Sequence, residues 1–530
     1  MTLGESNNQA SVAGDEENER LKQYKNVAKH EDMRRRRTEC SVELRKQKRD
    51  ETMMKRRNLV DDESDDEASE APEAGALKDD QKTARALLSF EEVIKILTNN
   101  PSLEDMRRCF ESVRRSLSKS KDPPIDSTIE SGLLQALVQA LAVEDDKIRF
   151  EAAWALTNIV SGTSRQTYAA VQAGATRPLV ELMLSPNLAL SEQCLWAVAN
   201  IIGDSAQLRD QVIDSRGAEV LVHLVQNIAD MDVSFVRTLA WAFSNMCRHK
   251  TPNAPLPILR ELAQGLRILL THDDKTVRQD SCWAASYLTD GPDEQIQIAV
   301  EAGLPSLVKG MLSDNDGVLA PALRVLGNMA TGNDQLTQYV VDLGVLDLLP
   351  RLVERTKSTT IVKECCWLIS NIIAGTQAQI QAVIDANLLP LVVQVMATGD
   401  FKCQLESSWV ISNLAQGGSS EQIMQLWQVE AIAPLCGLLK QTNVEMIANV
   451  LDSLYALLTT VSTCYPQRLD MVRESIEENS GLDHLEGLQE HESERIYQGA
   501  YKIIQEFFSE DEDDNVEFDA NDENQPVYNF

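Results

Sequence analysis

Two hydrophobic patterns alternate along most of the chain. In the first, apolar residues recur at i, i+3 and i+4 directly after a glycine, as in QAGATRPLVELM from residue 172 and EAGLPSLVKGM from residue 301. This pattern predicts a turn followed by an amphipathic helix. In the second, a more continuous apolar stretch contains the spacing W-x-x-x-N, as in FEAAWALTNIVSG from residue 150. The second pattern predicts a further helix after each amphipathic helix.

Both patterns repeat with a period of about 42 residues. Tryptophans at 154, 196, 241, 283, 367 and 409 are separated by 42, 45, 42, 84 and 42 residues, and the double step contains Arg324 at the missing position. Gly132, Gly174 and Gly217 are 42 and 43 residues apart. A helical period of 40 to 47 residues is typical of armadillo or HEAT repeats. The separate short first helix, the glycine and the Trp/Asn helix favour armadillo, with about ten repeats between residues 85 and 508 and atypical repeats at each end.

A tryptophan and an asparagine four residues apart lie on one helix face. Repeated along stacked helices, they predict a groove in which asparagine amides bind an extended peptide backbone and indole rings accept lysine or arginine side chains. We expect such asparagines to need no hydrogen-bond partner inside the protein. Acidic residues accompany the tryptophans: Asp204 follows Asn200 by one turn, and Asp280, Glu364 and Glu406 each lie three residues before a tryptophan.

The Trp/Asn array is interrupted in its middle. Tyr287 stands where an asparagine would follow Trp283, and Arg324 stands where a tryptophan is expected. A resident cation would repel a basic peptide, so the groove is predicted to form two sites. The larger one surrounds Trp154, Trp196 and Trp241, and the smaller one surrounds Trp367 and Trp409.

Charge is distributed unevenly along the chain. The formal net charge is −32, yet residues 20–57 carry fifteen Lys/Arg and six Asp/Glu, so the rest of the chain carries about −41. An acidic body favours basic partners over nucleic acid. The basic segment, within residues 1–60, is too polar to fold alone and is expected to become ordered on an acidic partner. Residues 61–84 and 509–530 are predicted to be a flexible acidic linker and a disordered acidic tail.

The remaining chemistry indicates an interaction protein. Ten cysteines occur without CxxC pairs, which favours reduced thiols in the cytosol or nucleus, and neither a secretory signal nor a membrane-spanning stretch is predicted. We find no motif for nucleotide, metal or nucleophilic catalysis, so neither an enzyme nor a cofactor is expected. An armadillo scaffold, adhesion or signalling adaptor is the alternative function, although its groove would be basic.

The sequence resembles the importin α (karyopherin α) family over nearly its whole length. The resemblance rests on the W-x-x-x-N series, on SGTSRQT, GNMATGND and KDPPID, and on the basic segment beginning RLKQYKNVAKHEDMRRRR. It implies a right-handed armadillo solenoid that binds cargo carrying mono- or bipartite nuclear localisation signals. It also implies that residues 20–57 bind importin β, that a nuclear exporter docks at the last repeats and acidic tail, and that the protein shuttles between cytoplasm and nucleus.

The resemblance also assigns residues to the two sites. The major site comprises Trp154, Asn158, Gly162, Thr167, Gln193, Trp196, Asn200, Asp204, Trp241, Asn245 and Arg248. The minor site comprises Arg324, Asn328, Thr331, Glu364, Trp367, Asn371, Glu406, Trp409 and Asn413. From the Trp series and the acid that precedes it, we also expect Asp280, Trp283 and Tyr287 in the minor site. In the ninth repeat the corresponding positions are Leu451 and Tyr455, so a contact with cargo there is not expected from the pattern.

The cluster Lys55-Arg56-Arg57 itself resembles a nuclear localisation signal. About 30 residues join it to the first repeat, a tether with an r.m.s. reach of about 30 Å. Such a tether gives an effective concentration on the order of mM, so even a weak internal ligand competes with cargo. We therefore expect these three residues to be autoinhibitory until importin β takes up the segment.

Overall fold

The structure is a computed structural model that describes residue 56 and residues 87–119, 121–313 and 316–509. These ranges contain twenty-nine α-helices, four short 3-10 helices and no β-strand. The α-helices are α1 (Phe90–Leu97), α2 (Leu103–Leu117), α3 (Ile125–Glu130), α4 (Leu133–Ala140), α5 (Asp146–Val160), α6 (Ser164–Gln172), α7 (Thr176–Leu182), α8 (Leu188–Asp204), α9 (Ala206–Asp214), α10 (Gly217–Gln226), α11 (Val233–Arg248), α12 (Leu256–Leu269), α13 (Lys275–Leu288), α14 (Asp293–Glu301), α15 (Leu304–Gly310), α16 (Asp316–Met329), α17 (Asp334–Asp342), α18 (Leu349–Arg355), α19 (Thr359–Ile373), α20 (Gln377–Asp385), α21 (Leu389–Thr398), α22 (Phe401–Gly417), α23 (Ser420–Ile423), α24 (Gln425–Gln428), α25 (Ile432–Leu438), α26 (Val444–Cys464), α27 (Leu469–Glu478), α28 (Gly481–Leu488) and α29 (Glu494–Phe507). The 3-10 helices are Ile228–Asp230, Met311–Ser313, Leu346–Leu348 and Pro466–Arg468.

These helices form two compact units, divided between Leu391 and Val392. Within each unit, the last helix of a repeat packs against the corresponding helix of the next repeat. In the first unit this series is α2, α5, α8, α11, α13, α16 and α19, and in the second unit it is α22, α26 and α29. The all-α fold and the count of about ten repeats are confirmed. The fifth repeat differs from the expected three helices, because α12 and α13 are its only helices.

Turns before the amphipathic helices explain the periodic glycines. Gly132, Gly174 and Gly303 have φ angles of 82°, 88° and 72°, a left-handed conformation that glycine adopts without steric cost. Gly217 is different, since the preceding Arg216 takes the left-handed conformation with φ of 66°. A Cβ on Gly217 would lie 2.3 Å from the Val212 side chain, so this glycine is required by close packing instead.

Aspartate caps join neighbouring repeats. The Asp145 and Asp274 side chains accept hydrogen bonds from the first-turn amides of α5 and α13. Each also binds an arginine of the preceding repeat: Arg237 donates to the two Asp274 oxygens at 3.0 and 2.7 Å, and Arg107 pairs with Asp145 in the same way. Arg237 lowers the pKa of Asp274 to about 2. A single carboxylate thus starts one helix and fixes its position against the previous repeat.

The loop after α11 is held by a fully buried arginine. The Arg209 guanidinium donates to the carbonyls of His249 and Pro252 at 2.8 and 2.9 Å and to Asp210 at 2.7 Å. His249 lies 3.1 Å from the Ile202 carbonyl, near the end of α8. Burial, together with Arg248, lowers the pKa of His249 to about 4. The imidazole is therefore neutral near pH 7 and caps α8, the helix that ends at Asp204.

Helices α16 and α19 approach each other closely at a glycine. Gly327 lies against the indole of Trp367, and a Cβ at this position would be 2.0 Å from ring atom Cζ3. The Gly327 carbonyl also accepts a hydrogen bond from the Asn371 amide at 3.1 Å. Only glycine leaves enough space for the Trp367 ring at this position.

Helix α26 is long and apolar enough to cross a membrane by length and composition, but 61% of that stretch is buried inside the protein. It packs against α22 on one side and α29 on the other. A core helix passes the same test, so α26 is best explained as the interior helix of its repeat.

The nine cysteines within the described ranges are all free thiols, and all but Cys464 are buried. Burial raises the pKa of the Cys247 thiol to about 12, so it stays protonated near neutral pH. The expectation of reduced, buried thiols agrees with the structure for these residues.

Replacing Gly327 by alanine is expected to destabilise the protein by about 1–3 kcal/mol, because the new methyl group overlaps the Trp367 ring. Chemical denaturation of the full chain measures the effect. Gly310→Ala is the matched control: its Cβ would meet nothing within 4 Å, so alanine is expected to stabilise the helix by about 0.5–1 kcal/mol. Equal effects of the two substitutions would contradict the close approach.

Protonation of His249 is expected to weaken the fold in mild acid. Its pKa is about 4 when folded and 6.5 when unfolded, so the unfolded chain binds more protons between these values. Stability is therefore lost as the pH falls from 6.5 toward 4, by at most about 3.4 kcal/mol from this residue. His249→Gln is expected to flatten this part of the stability profile. An unchanged pH dependence in the variant would show that other groups cause the loss.

Candidate functional site

The predicted Trp/Asn positions lie on α5, α8, α11, α13, α16 and α19 in the first unit and on α22 in the second. Trp241, Trp283, Trp367 and Trp409 are buried, whereas Trp154 and Trp196 are partly exposed. The asparagines of this array are also buried, with an exposed fraction of 5% or less. The array therefore belongs to the contact between repeats as well as to their surface.

Each of these asparagines in the first unit donates its side-chain amide to the preceding repeat. Asn245, Asn328 and Asn371 bind the carbonyls of Ala199, Ser286 and Gly327 at 3.0, 2.8 and 3.1 Å. Ala199 and Gly327 directly precede Asn200 and Asn328, the asparagines of the preceding repeats. Ser286 directly precedes Tyr287, which stands where the preceding repeat lacks an asparagine. The expectation that the asparagines need no internal partner is wrong, because a buried amide must be hydrogen-bonded and the neighbouring helix supplies the acceptor.

Asn158 and Asn200 fit the same scheme with variations. The Asn158 amide donates to the Ser118 hydroxyl at 3.0 Å, and the Asn200 amide reaches the Thr157 carbonyl at 3.4 Å. An asparagine side chain has two N–H donors and an acceptor oxygen. At Asn200 the side chain therefore connects the repeats and also has groups that can bind a ligand.

Arg56 occupies this groove. The Asn200 Oδ1 accepts the Arg56 backbone N–H at 2.9 Å, and the Asn200 Nδ2 donates to the Arg56 carbonyl at 2.9 Å. The Trp196 indole N–H donates to the same carbonyl at 2.9 Å. Both backbone polar groups of Arg56 are thus bound by side chains of α8, as expected for an extended peptide.

The Arg56 side chain is bound by the next two repeats. Its guanidinium carbon lies 4.6 Å from the centre of the Trp241 ring, within the range of a cation–π contact. Its Nη2 lies 3.3 Å from the Asp280 carboxylate, which is 4% exposed. The prediction that Asp280 belongs to the minor site is wrong, because this carboxylate binds Arg56, whose side chain also lies over Trp241.

Other predicted residues of the major site make contacts within the protein, close to where Arg56 binds. Gln193 donates to the Thr157 hydroxyl at 2.7 Å, Thr167 donates to the Val160 carbonyl at 3.1 Å, and Arg248 donates to the Gly203 carbonyl. Asp204 is the last residue of α8.

Gly162 packs closely in the turn after α5: a Cβ there would lie 2.1 Å from the Gln166 side chain.

Near Trp196, burial raises the pKa of the Glu192 carboxyl, an effect reinforced by Asp232 and partly offset by Ser234.

Arg324, at the predicted break between the two sites, binds its neighbours. Its guanidinium carbon lies 5.2 Å from the centre of the Trp283 ring, and Nη2 lies 2.9 Å from the fully buried Glu364. Lys363 also approaches Glu364, at 3.3 Å. The Glu364 carboxylate, assigned to cargo by the resemblance, is therefore paired with resident cations.

The other minor-site residues of the first unit surround these contacts. Tyr287 stacks at a tilt against Trp283 with ring centres 6.4 Å apart. The Thr331 hydroxyl donates to the Asn328 carbonyl at 2.6 Å. Trp367 packs on Gly327, as described above.

In the second unit, Glu406, Trp409 and Asn413 all lie on α22. In the ninth repeat, Leu451 is buried, and Tyr455 donates its hydroxyl to Glu506 at 3.0 Å while Lys502 lies 3.9 Å from its ring centre. The last helix therefore covers Tyr455, one of the two positions where the pattern gave no reason to expect cargo.

Sequence reasoning missed two residues of the groove, Arg114 and Glu151. Arg114 lies in α2, with its guanidinium carbon 4.5 Å from the centre of the Trp154 ring and its Nε 2.7 Å from Glu151. Arg114 precedes Trp154 by 40 residues, and Glu151 precedes it by three. The same period and the same acidic position could have identified both residues, but the first repeat was treated only as a cap.

Several predictions concern residues outside the described ranges. These are Lys55, Arg57, the rest of segment 20–57, the linker 61–84 and the tail from residue 510. Within the described part of the chain, no group of three or more His, Cys, Asp or Glu side chains is arranged to hold a metal ion.

Three protein families match parts of the chain, and two of the matches cross the domain boundaries predicted from the sequence. The Importin beta binding domain family matches residues 20–111. The Armadillo/beta-catenin-like repeat family matches residues 121–161, 163–203, 333–374 and 376–416, and the Atypical Arm repeat family matches residues 471–525.

Similar proteins cover almost the entire chain. Importin subunit alpha-2 of Caenorhabditis elegans is 55% identical over 514 residues, which are 97% of this chain and 96% of that protein. Importin subunit alpha-1a of Oryza sativa subsp. japonica is 37% identical and covers 94% of this chain and 93% of its own length. The crystal structure of an engineered protein covers 79% of this chain and 99% of its own, with 25% identity and a TM-score of 0.69. The chain belongs to the importin α family.

Proposed function

We propose that this protein is a nuclear import adaptor that binds lysine- and arginine-rich localisation signals in the Trp/Asn groove and links them to importin β. The observation that carries this proposal is the binding of Arg56 by Asn200, Trp196, Trp241 and Asp280. The family match over residues 20–111 and the relatives named importin subunit alpha support the link to importin β.

The contacts of Arg56 separate affinity from selectivity. Three hydrogen bonds bind its backbone, and these would accept any extended peptide. Selection for a cation comes from the Trp241 ring and the Asp280 carboxylate. A cation–π contact contributes about 0.5–2 kcal/mol, and a hydrogen bond to a charged group contributes about 1.5–3 kcal/mol. Each correctly placed Lys or Arg therefore raises affinity by roughly tenfold or more.

Autoinhibition is part of the proposal. A groove that holds Arg56 in this way is closed to a cargo side chain at the same position. Binding of residues 20–57 to importin β would withdraw Lys55, Arg56 and Arg57 and open the groove. The proposed cycle places the protein in both cytoplasm and nucleus, with a nuclear exporter docking at the last repeats, and assigns it no catalytic step.

Removing the internal ligand is expected to strengthen cargo binding. In the full chain, the triple change Lys55, Arg56 and Arg57→Ala should raise the affinity for a labelled lysine-rich signal peptide about tenfold, because the tethered competitor is lost. Fluorescence anisotropy measures this. The control changes Arg45, Lys46 and Lys48→Ala, which removes the same charge from the same segment. An equal gain in both variants would indicate a general charge effect and contradict autoinhibition by Arg56.

Neutralising one acid of the groove is expected to weaken cargo binding. In the triple-alanine background, Asp280→Asn should reduce affinity for the basic peptide about fivefold and make binding less sensitive to salt, because a partly buried ion pair is lost. Asp273→Asn removes an exposed acid of the same repeat and should have little effect. If the basic peptide binds neither the triple-alanine chain nor these variants, the adaptor function is wrong.

A further inference from the structure

The first repeat places an arginine where the following repeats place tryptophan. Arg114 lies 40 residues before Trp154, and Ser118 lies 40 residues before Asn158. The hydrogen bond from the Asn158 amide to the Ser118 hydroxyl, at 3.0 Å, fixes this correspondence between α2 and α5. Arg114 is therefore the next position of the groove beyond Trp154.

Arg114 is bound on two sides. Its guanidinium carbon lies 4.5 Å from the centre of the Trp154 ring. Its Nε and Nη2 lie 2.7 and 3.4 Å from the two oxygens of Glu151. The two charged side chains are only 12% and 19% exposed, so water screens the pair weakly.

The same combination of contacts occurs at Arg324 and at Arg56. Arg324 lies over Trp283 and pairs with Glu364, and Arg56 lies over Trp241 and pairs with Asp280. In all three cases the acid is three residues before a groove tryptophan. For Arg114 this is Trp154, the ring over which it lies, whereas Asp280 and Glu364 precede tryptophans of later repeats. Arg114 thus makes, within the folded protein, the contacts that Arg56 makes as an internal ligand.

We propose that Arg114 is a specificity-determining residue that ends the major groove at Trp154. It occupies one face of the Trp154 ring and the adjacent Glu151 carboxylate, so a basic side chain of a cargo peptide cannot bind there. Like-charge repulsion adds to this exclusion. The groove would therefore bind the Lys/Arg side chains of a peptide at a limited number of positions and accept a neutral residue beyond them. The inference rests on the proposed function and specifies its ligand class: basic peptides of limited cationic length.

The test compares peptides that differ at one extended position. A core basic signal peptide is lengthened by two residues at either its amino or its carboxyl end, with the terminal position Arg or Gln. Dissociation constants are measured for the full chain in the triple-alanine background, without and with Arg114→Ala. Arg115→Ala is the matched control, because Arg115 is the next residue of α2, is exposed, and lies 3.9 Å from the exposed Glu111 carboxylate.

Arg114→Ala is expected to increase the preference for Arg over Gln at one end about fivefold, because a cation–π position and a carboxylate become available. Arg115→Ala should change all peptides to a similar, small extent. Arg114→Lys keeps a cation at this position, so its preference for Arg over Gln should equal that of the chain with Arg114 unchanged. If Arg114→Ala lowers the melting temperature, Arg114→Gln is the second variant. It places no charge over the Trp154 ring, so it is also expected to increase the preference for Arg over Gln in the peptide.

An Arg/Gln preference that changes equally in the Arg114 and Arg115 variants, or in neither, would overturn the proposal. That result is distinguishable from failure of the proposed function, which is tested by the core peptide alone. A core peptide that binds the control variant while the preference stays constant preserves the adaptor function and removes Arg114 as a determinant of specificity.

Discussion

The hydrogen bond between an asparagine side chain and the carbonyl of the preceding repeat is the constraint on which the groove depends. It recurs in Asn200, Asn245, Asn328 and Asn371. Buried polar groups cannot be left without partners, so successive helices are held in one axial register. This register places the Trp and Asn side chains at regular intervals, as recognition of an extended backbone requires.

The same asparagine also binds the ligand, since an amide offers more than one hydrogen-bonding group. At Asn200, one side chain accepts the Arg56 N–H, donates to the Arg56 carbonyl and reaches the Thr157 carbonyl. Stability and recognition therefore use the same residue. Substituting such an asparagine would remove a contact with the ligand and would also alter the spacing of the repeats.

Cations over tryptophan rings give the groove its internal organisation. Arg114 and Arg324 are supplied by the repeats, whereas Arg56 comes from the amino-terminal segment. Each is paired with a carboxylate that the burial of the site keeps from full solvation. Because Arg114 and Arg324 use the same chemistry as Arg56, a residue type that acts as a ligand at one position can end the binding site at another.

The sequence alone determined the repeat architecture, because a period of 42 residues can bury its apolar faces only by stacking similar units. It also determined the positions of the Trp/Asn array and the break at Arg324, since these depend on residue type and spacing. It did not reveal that the asparagines are satisfied inside the protein, that Asp280 approaches Arg56, or that Glu364 is neutralised by Arg324. These features depend on which side chains of neighbouring repeats meet, and distances between helices 40 residues apart are decided only by their packing in three dimensions.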